Sequence, residues 1–261
     1  MTQTDNPINT VAPLANVARL LSLVTTLQTR AFGLPGMGCF YGPAGRGKTT
    51  AGVFVTNKSN ACHVEALPFG GTKKLLEMIV IELGLRPAKS VASLFDQAAA
   101  ELAATDRPLI IDEADQILTD RTIEAVRHLH DKTLVPVILM GEEQLPQRLK
   151  QWERVSGRML GWVAAEAATL DDVGYLAPIY APKLIIRDDL KQALLKASNG
   201  SIRHVSTNLA RLATHADIKG LTQIGIGDWD ARSFHTGQPP DVRREVGSPG
   251  PNAARSRRTA A

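Results

Sequence analysis

A chain of 261 residues with 44% apolar and 21% charged residues can bury a core of its own, which excludes a short disulfide-stapled scaffold and a disordered polymer. Its two cysteines, Cys39 and Cys62, sit singly in apolar runs with no zinc-ligand spacing, so they read as buried thiols in a reducing compartment. The formal net charge of +4 lies mostly at the end, where Arg243, Arg244, Arg255, Arg257 and Arg258 face only Asp241 and Glu245; any polyanion contact elsewhere must be a local patch.

Residues 1–16 are polar and expected to be flexible. No Lys or Arg precedes Arg19 and no long apolar run follows, so neither a secretory signal nor a membrane span is expected, and the chain is read as cytoplasmic. Spacing then predicts a helix over 17–30, a strand over 38–41, a helix over 49–57 and a strand over 62–67. Helices follow over 73–83, where Leu75, Leu76, Ile79, Val80 and Leu83 form one stripe, and over 91–104. A strand over 109–112, a helix over 122–132, a strand over 135–140 and a helix with its end over 147–159 complete the series. Buried strands alternating with helices imply an α/β fold, a parallel sheet sandwiched by helices, over residues 17–170. After Thr169 the pattern becomes helical only, at 172–180, 188–198 and 201–214, and reads as a small lid over residues 171–218. An extension over 219–261 is expected to lose order from about residue 234, where Pro and Gly replace any apolar period.

Two motifs carry chemistry. Gly42, Pro43, Ala44, Gly45, Arg46, Gly47, Lys48 and Thr49 fit G-x-x-x-x-G-K-[ST] between a strand and a helix, with Thr50 next. Glycines let backbone N–H groups close on phosphate oxygens, and the helix start adds unpaired donors and the positive end of its dipole. Lys48 would bridge the β- and γ-phosphates, and Thr49 would place its hydroxyl on Mg2+. The second motif is the apolar strand ending in Asp112 and Glu113. Neighbouring side chains point in opposite directions, so the two acids can divide the work, Asp112 holding Mg2+ through water and Glu113 polarising the attacking water. Together the motifs imply ATP binding with Mg2+ and its hydrolysis. Asp115, one turn on, reads as a helix cap.

The arrangement resembles the AAA+ ATPases, whose fourth strand here ends in a polar sensor. That family usually carries Asn, Thr or Ser, whereas this chain has Glu142, which reads equally well as a surface acid. The resemblance implies an arginine finger acting in a neighbouring subunit's site, with Arg158 first and Arg154 second among Arg148, Arg154 and Arg158. It also implies a second sensor in Asn-Gly-Ser-Ile-Arg, namely Arg203. His63, His128, His130 and His204 read as solvated or hydrogen-bonded histidines.

Within that superfamily, Gly-Pro-Ala-Gly-Arg-Gly-Lys-Thr-Thr, Ile-Ile-Asp-Glu-Ala-Asp, the Gly-Glu-Glu-Gln-Leu step and Gly-Ser-Ile-Arg resemble the B-protein family of transposition activators in Mu-like phages and transposons, over about residues 17–213. That resemblance implies an ATP-dependent, sequence-non-specific binder of double-stranded DNA in a bacterial cell. Such a protein self-assembles as a filament or ring and delivers target DNA to a DDE transposase. The Mu-like members carry a helix-turn-helix domain before the ATPase, and here only the 41 residues before Gly42 stand in that place. DNA contact would then rest on basic residues, with Lys73, Lys74, Arg121 and Arg127 as candidates, or on the Arg-rich tail. Rival readings are a helicase loader, a secretion-related ATPase, or a nucleotide-gated scaffold with little turnover.

Overall fold

The computed structural model describes residues 14–237; residues 1–13 and 238–261, including Arg243 and the other tail arginines, lie outside them. In chain order the elements are α1 Ala15–Gln28, β1 Met37–Tyr41, α2 Lys48–Ser59, β2 Cys62–Glu65, α3 Gly71–Glu82, α4 Val91–Thr105 and β3 Leu109–Asp112. A 3-10 turn at Ala114–Ile117 leads to α5 Asp120–Thr133, β4 Val137–Gly141, α6 Leu145–Leu149, α7 Glu153–Ser156 and β5 Met159–Ala164. The segment after β5, which includes the expected lid of residues 171–218, comprises α8 Leu170–Tyr180, β6 Ile185–Ile186, α9 Asp188–Ala197, α10 Ile202–Lys219 and β7 Gln223–Ile224.

The main sheet has the order β2-β3-β4-β1-β5 with every pairing parallel. Strand alternation explains the two-sided burial. Phe40, Ile110, Ile138 and Met140 face one layer with α1, α2 and the lid; Met37, Cys39, Leu109, Ile111, Val137 and Leu139 face the other with α3, α4 and α5. Each fully buried Leu or Ile contributes about 1.5–3 kcal/mol, so these two layers dominate stability. Gly38 and Gly161 are paired in register on β1 and β5, and a Cβ on either would lie within 3.0 Å of Leu23 or Leu27 of α1, so the missing side chains let that helix settle on the sheet. Cys39 and Cys62 are free and buried, and burial pushes the Cys62 thiol up to about 12. Among the described residues no helix is long and apolar enough to cross a membrane.

Four expectations need correction. β5 was not expected at all: it begins at Met159, where the helix read over 147–159 ends, and as an edge strand it has only one buried residue and no apolar alternation to announce it. The lid is not purely helical: β6 and β7 pair in a two-stranded parallel sheet too short to show a period. The expected flexible start is packed from Leu14, which is 3% exposed, with Ala15 N donating to Asp172 Oδ1 at 3.1 Å. At the other end, Phe234 packs on Trp229 with ring centroids 5.5 Å apart, and Asn208 clasps the His235 backbone through both its amide atoms, so ordered packing passes residue 234.

Candidate nucleotide site

The strand order builds the site. β4 lies between β1 and β3, so the segments that follow β1, β4 and β3 stand side by side at the carboxyl edge of the sheet, where open α/β folds place their ligands. Gly42, Gly45 and Gly47 have φ of 157°, 79° and 79°, a backbone path that side-chain-bearing residues rarely follow. α2 starts at Lys48 immediately after Gly47, so its free N–H groups open at the loop. Lys48 Nζ lies over the loop, donating to Gly42 O at 2.7 Å and Pro43 O at 3.1 Å.

A cavity of about 980 Å3 is lined by Ala44, Gly45, Gly47, Lys48, Thr49 and Thr50 on the loop side, by Glu113 and Glu142 opposite, and by Arg203 from the lid. Leu14, Leu176, Tyr180 and Ile202 give it an apolar end suited to a flat base. Gly42, Pro43 and Arg46 do not line it; Pro43 and Arg46 face a smaller cavity of about 320 Å3 on the lid side. Asp112 is 2% exposed, its Oδ1 accepts from Glu113 N at 2.9 Å, and its Oδ2 has no hydrogen-bond partner among the described residues. An orphaned buried carboxylate oxygen fits a cation, and with the Thr49 hydroxyl it fits Mg2+, which takes one or two protein oxygens and completes its shell with phosphates and water. No cluster of three or more ligating side chains occurs among the described residues, so nothing there offers an all-protein cage.

The electrostatics are those of a site built for a charged ligand. Burial lowers the Lys48 pKa, and Glu113, Asp112, Glu142 and Asp115 push it back up. Burial raises the Glu113 carboxyl, with Asp112 adding to the rise and Lys48 opposing it. Glu113 itself sits at φ 52°, a left-handed turn that carries the chain out of β3.

Asp115, read from sequence as a cap, ties the site together. Its Oδ2 accepts from Glu142 N at 2.6 Å and its Oδ1 from Arg148 Nη1 at 3.3 Å, while Arg148 Nη2 donates to Asp115 O. A Cβ at Gly141 would stand 2.1 Å from Asp115 Oδ2, so glycine at the end of β4 makes room for this bond. Asp115 thereby holds the backbone of Glu142 beside β3. The only sequence signal was its place in Asp-Glu-Ala-Asp. Asn16, another residue the motifs did not reveal, is 5% exposed on α1 and joins that helix to Arg46 O and Glu166.

The arginines divide. Arg203 reaches the cavity from the start of α10. Arg148 is held by Asp115. Arg158 lies at the opposite, amino edge of the sheet, where its carbonyl accepts from Met37 N and its guanidinium grips Asp131 at 3.0 and 3.3 Å. Arg154 is exposed with no ion pair among the described residues. Of the proposed DNA contacts, Lys73 is exposed and Lys74 half-buried beside Glu77, and a 2.9 Å bond between the Thr72 and Thr122 hydroxyls brings the starts of α3 and α5 together, with exposed Arg121 next to them. Arg127 is a correction: it is 6% exposed, with its guanidinium on Glu124, Asp131 and His128, and cannot serve as a surface contact.

Comparisons with known proteins agree with this architecture. A family model described as an AAA domain matches residues 33–149. Comparison with curated protein sequences returns no match. Among solved structures, Cdc6p from Pyrobaculum aerophilum superposes with a TM-score of 0.63 at 14% identity, over 84% of this chain and 66% of that one. The Orc1 protein of Aeropyrum pernix, solved in complex with DNA, does so with a TM-score of 0.57 at 16% identity, over 88% of this chain and 67% of that one. The chain thus spans about two thirds of the length of either structure, and at these identities the likeness is one of fold. The match of residues 33–149 to an AAA domain model and the two superpositions agree on the fold: the chain has the α/β P-loop AAA+ fold, a five-stranded parallel sheet flanked by helices.

Proposed function

We propose that this chain is a Mg2+-dependent ATPase that grips duplex DNA without regard to sequence when ATP is bound, polymerises on it, and delivers it as target to a DDE transposase. The ATPase half rests on one observation above the rest: Lys48, Thr49, Glu113 and Arg203 line a single cavity, and Asp112, whose Oδ2 has no hydrogen-bond partner among the described residues, is one of the acids that act on Lys48 there. The loop amides and Lys48 bind and orient the triphosphate, and Thr49 and Asp112 would hold Mg2+, which supplies charge neutralisation at the β- and γ-phosphate oxygens. Glu113, its carboxyl raised by burial, accepts a proton from the attacking water, and Arg203 bears on the γ-phosphate from the lid. Glu142, the acid in the sensor position, faces the same cavity.

Support for a DNA grip comes from the grouping of Lys73, Lys74 and Arg121, which suits phosphate contacts, and from a protein of the same fold solved with DNA. Arg158 stands at the amino edge of the sheet, away from its own phosphate loop, so it can act as a finger only in another copy's site, which accords with self-assembly, and exposed Arg154 is the second candidate. Transposition itself rests on the sequence resemblance. The test combines phosphate release with electron microscopy in the presence of duplex DNA. Turnover, with filaments on duplex DNA that form with ATP and not with ADP, supports the proposal. Discrete closed rings on single strands would make the chain a helicase loader, and binding without turnover would make it a nucleotide-gated scaffold.

A further inference from the structure

Four chain segments distant in sequence meet behind the phosphate loop, on the side away from the large cavity. Arg46 Nη1 donates to Gly200 O at 3.0 Å, and the same carbonyl accepts from Ala168 N at 2.9 Å. Asn16 Nδ2 donates to Arg46 O and to Glu166 O at 2.9 Å each, and Asn16 Oδ1 accepts from Glu166 N at 2.9 Å. Two further bonds reach the loop from the start of α10: Arg203 N and Ser201 Oγ both donate to Gly45 O, at 3.3 and 3.4 Å. Packing here is close. A Cβ at Gly200, whose φ is 70°, would stand 2.3 Å from Arg46 Nη1 and 2.6 Å from Ala167 Cβ, and one at Gly45 would stand 2.5 Å from Ser201 Oγ.

Arg46 forms no ion pair among the described residues, and its side chain does not line the cavity that Lys48, Thr49 and Glu113 share. Its charge is spent on a carbonyl of the lid, and a charged donor on a carbonyl is stronger than an ordinary amide bond. Gly200 precedes by three residues Arg203, which does line that cavity.

We infer that Arg46 is a positioning residue that ties the phosphate loop to the Asn199-Gly200-Ser201 turn and so sets where Arg203 stands over the nucleotide. The inference rests on the nucleotide-binding reading above and adds to it a route from loop to lid. A ligand that closes the loop moves the carbonyls of Gly45 and Arg46; the lid, held by these bonds, moves with them, and by linkage a fixed lid favours the closed loop.

The experiment uses the full chain with Arg46→Ala, Arg46→Lys, Arg203→Ala and the Arg46→Ala/Arg203→Ala double variant. In nucleotide-free protein, amide hydrogen exchange at Ala168 and over residues 201–205 should quicken about tenfold in Arg46→Ala, the loss of one charge-assisted bond, and recover in Arg46→Lys, whose ammonium can still donate to Gly200 O. With ATP, kcat should fall about tenfold in Arg46→Ala while Kd for a fluorescent ATP analogue changes less than about threefold, and the double variant should be no slower than Arg203→Ala alone. Unchanged exchange in Arg46→Ala overturns the inference. So does a Kd loss as large as the kcat loss, which would make Arg46 a direct phosphate contact, and so does an additive loss in the double variant. If the wild-type chain neither binds nor hydrolyses ATP, the proposed function fails, and the exchange measurement alone still decides whether Arg46 holds the lid.

Discussion

The two edges of one parallel sheet handle charge in opposite ways. At the carboxyl edge, Asp112, Glu113, Asp115 and Glu142 all act on one ammonium, Lys48, and of the four only Asp115 has an ion pair among the described residues, with Arg148; Asp112 Oδ2 is left without a partner there and the Glu113 carboxyl is raised. At the amino edge, one carboxylate, Asp131, is shared by the Arg127 and Arg158 guanidiniums; burial works against its ionised form, and the Arg158 hydrogen bonds and charge outweigh that and hold its pKa below the ordinary value. An edge where carboxylates outnumber their partners suits a cation, whereas an edge with matched charge serves the fold. Substitutions at the first should change chemistry with little cost in stability, and those at the second the reverse.

The largest expected effect is at Glu113. Glu113→Gln should lower ATP turnover about 10²–10⁴-fold with nucleotide affinity retained, read by phosphate release and by analogue titration. A base must be ionised to act, so wild-type turnover should rise with pH through a midpoint above the ordinary 4.5 of a glutamate, and Glu113→Gln should lack that acidic limb. Next in size, Lys48→Ala should weaken ATP binding at least about 30-fold, the contribution of a charge-assisted contact to phosphate, with little loss in melting temperature because its hydrogen bonds among the described residues go to two loop carbonyls and it closes no ion pair there. Unaltered affinity in that variant would remove the basis for treating this edge as a nucleotide site.

Gly141→Ala joins the two themes. Its new methyl group would meet Asp115 Oδ2, so urea unfolding should show a loss of about 1–3 kcal/mol, with turnover falling as Glu142 shifts. The smallest effect is expected at the amino edge. Asp131→Asn should cost about 1 kcal/mol, since Arg127 is buried but Asp131 is partly exposed, with ATP affinity unchanged. A depressed carboxyl stabilises the fold above its unfolded pKa and loses that contribution as pH falls through its lower folded value. The stability gap between wild type and Asp131→Asn should therefore be full at neutral pH and shrink as acidification passes below 3.8.

Much of this molecule is legible in its sequence because the requirements are local. A glycine-rich loop ending in Gly47-Lys48-Thr49 needs only backbone permissiveness and a helix start, and an apolar strand ending in Asp112-Glu113 needs only alternation, so both halves of the candidate nucleotide site and the α/β fold follow from short windows of chain. What spacing cannot determine is which elements stand beside which. The order β2-β3-β4-β1-β5 is not the order of synthesis; it brings Asp115 under Glu142 and separates Arg158 from the phosphate loop by the full length of the strands. It also leaves β5 at an edge where no apolar alternation was needed. Arg127 and Arg121, seven and one residues past Asp120 on one helix, look alike as basic residues, yet only the packing of α5 shows one buried and the other exposed. Asn16, Arg46 and Gly200 meet across some 150 residues of chain, and no periodicity of 2 or 3.6 can register a contact of that range.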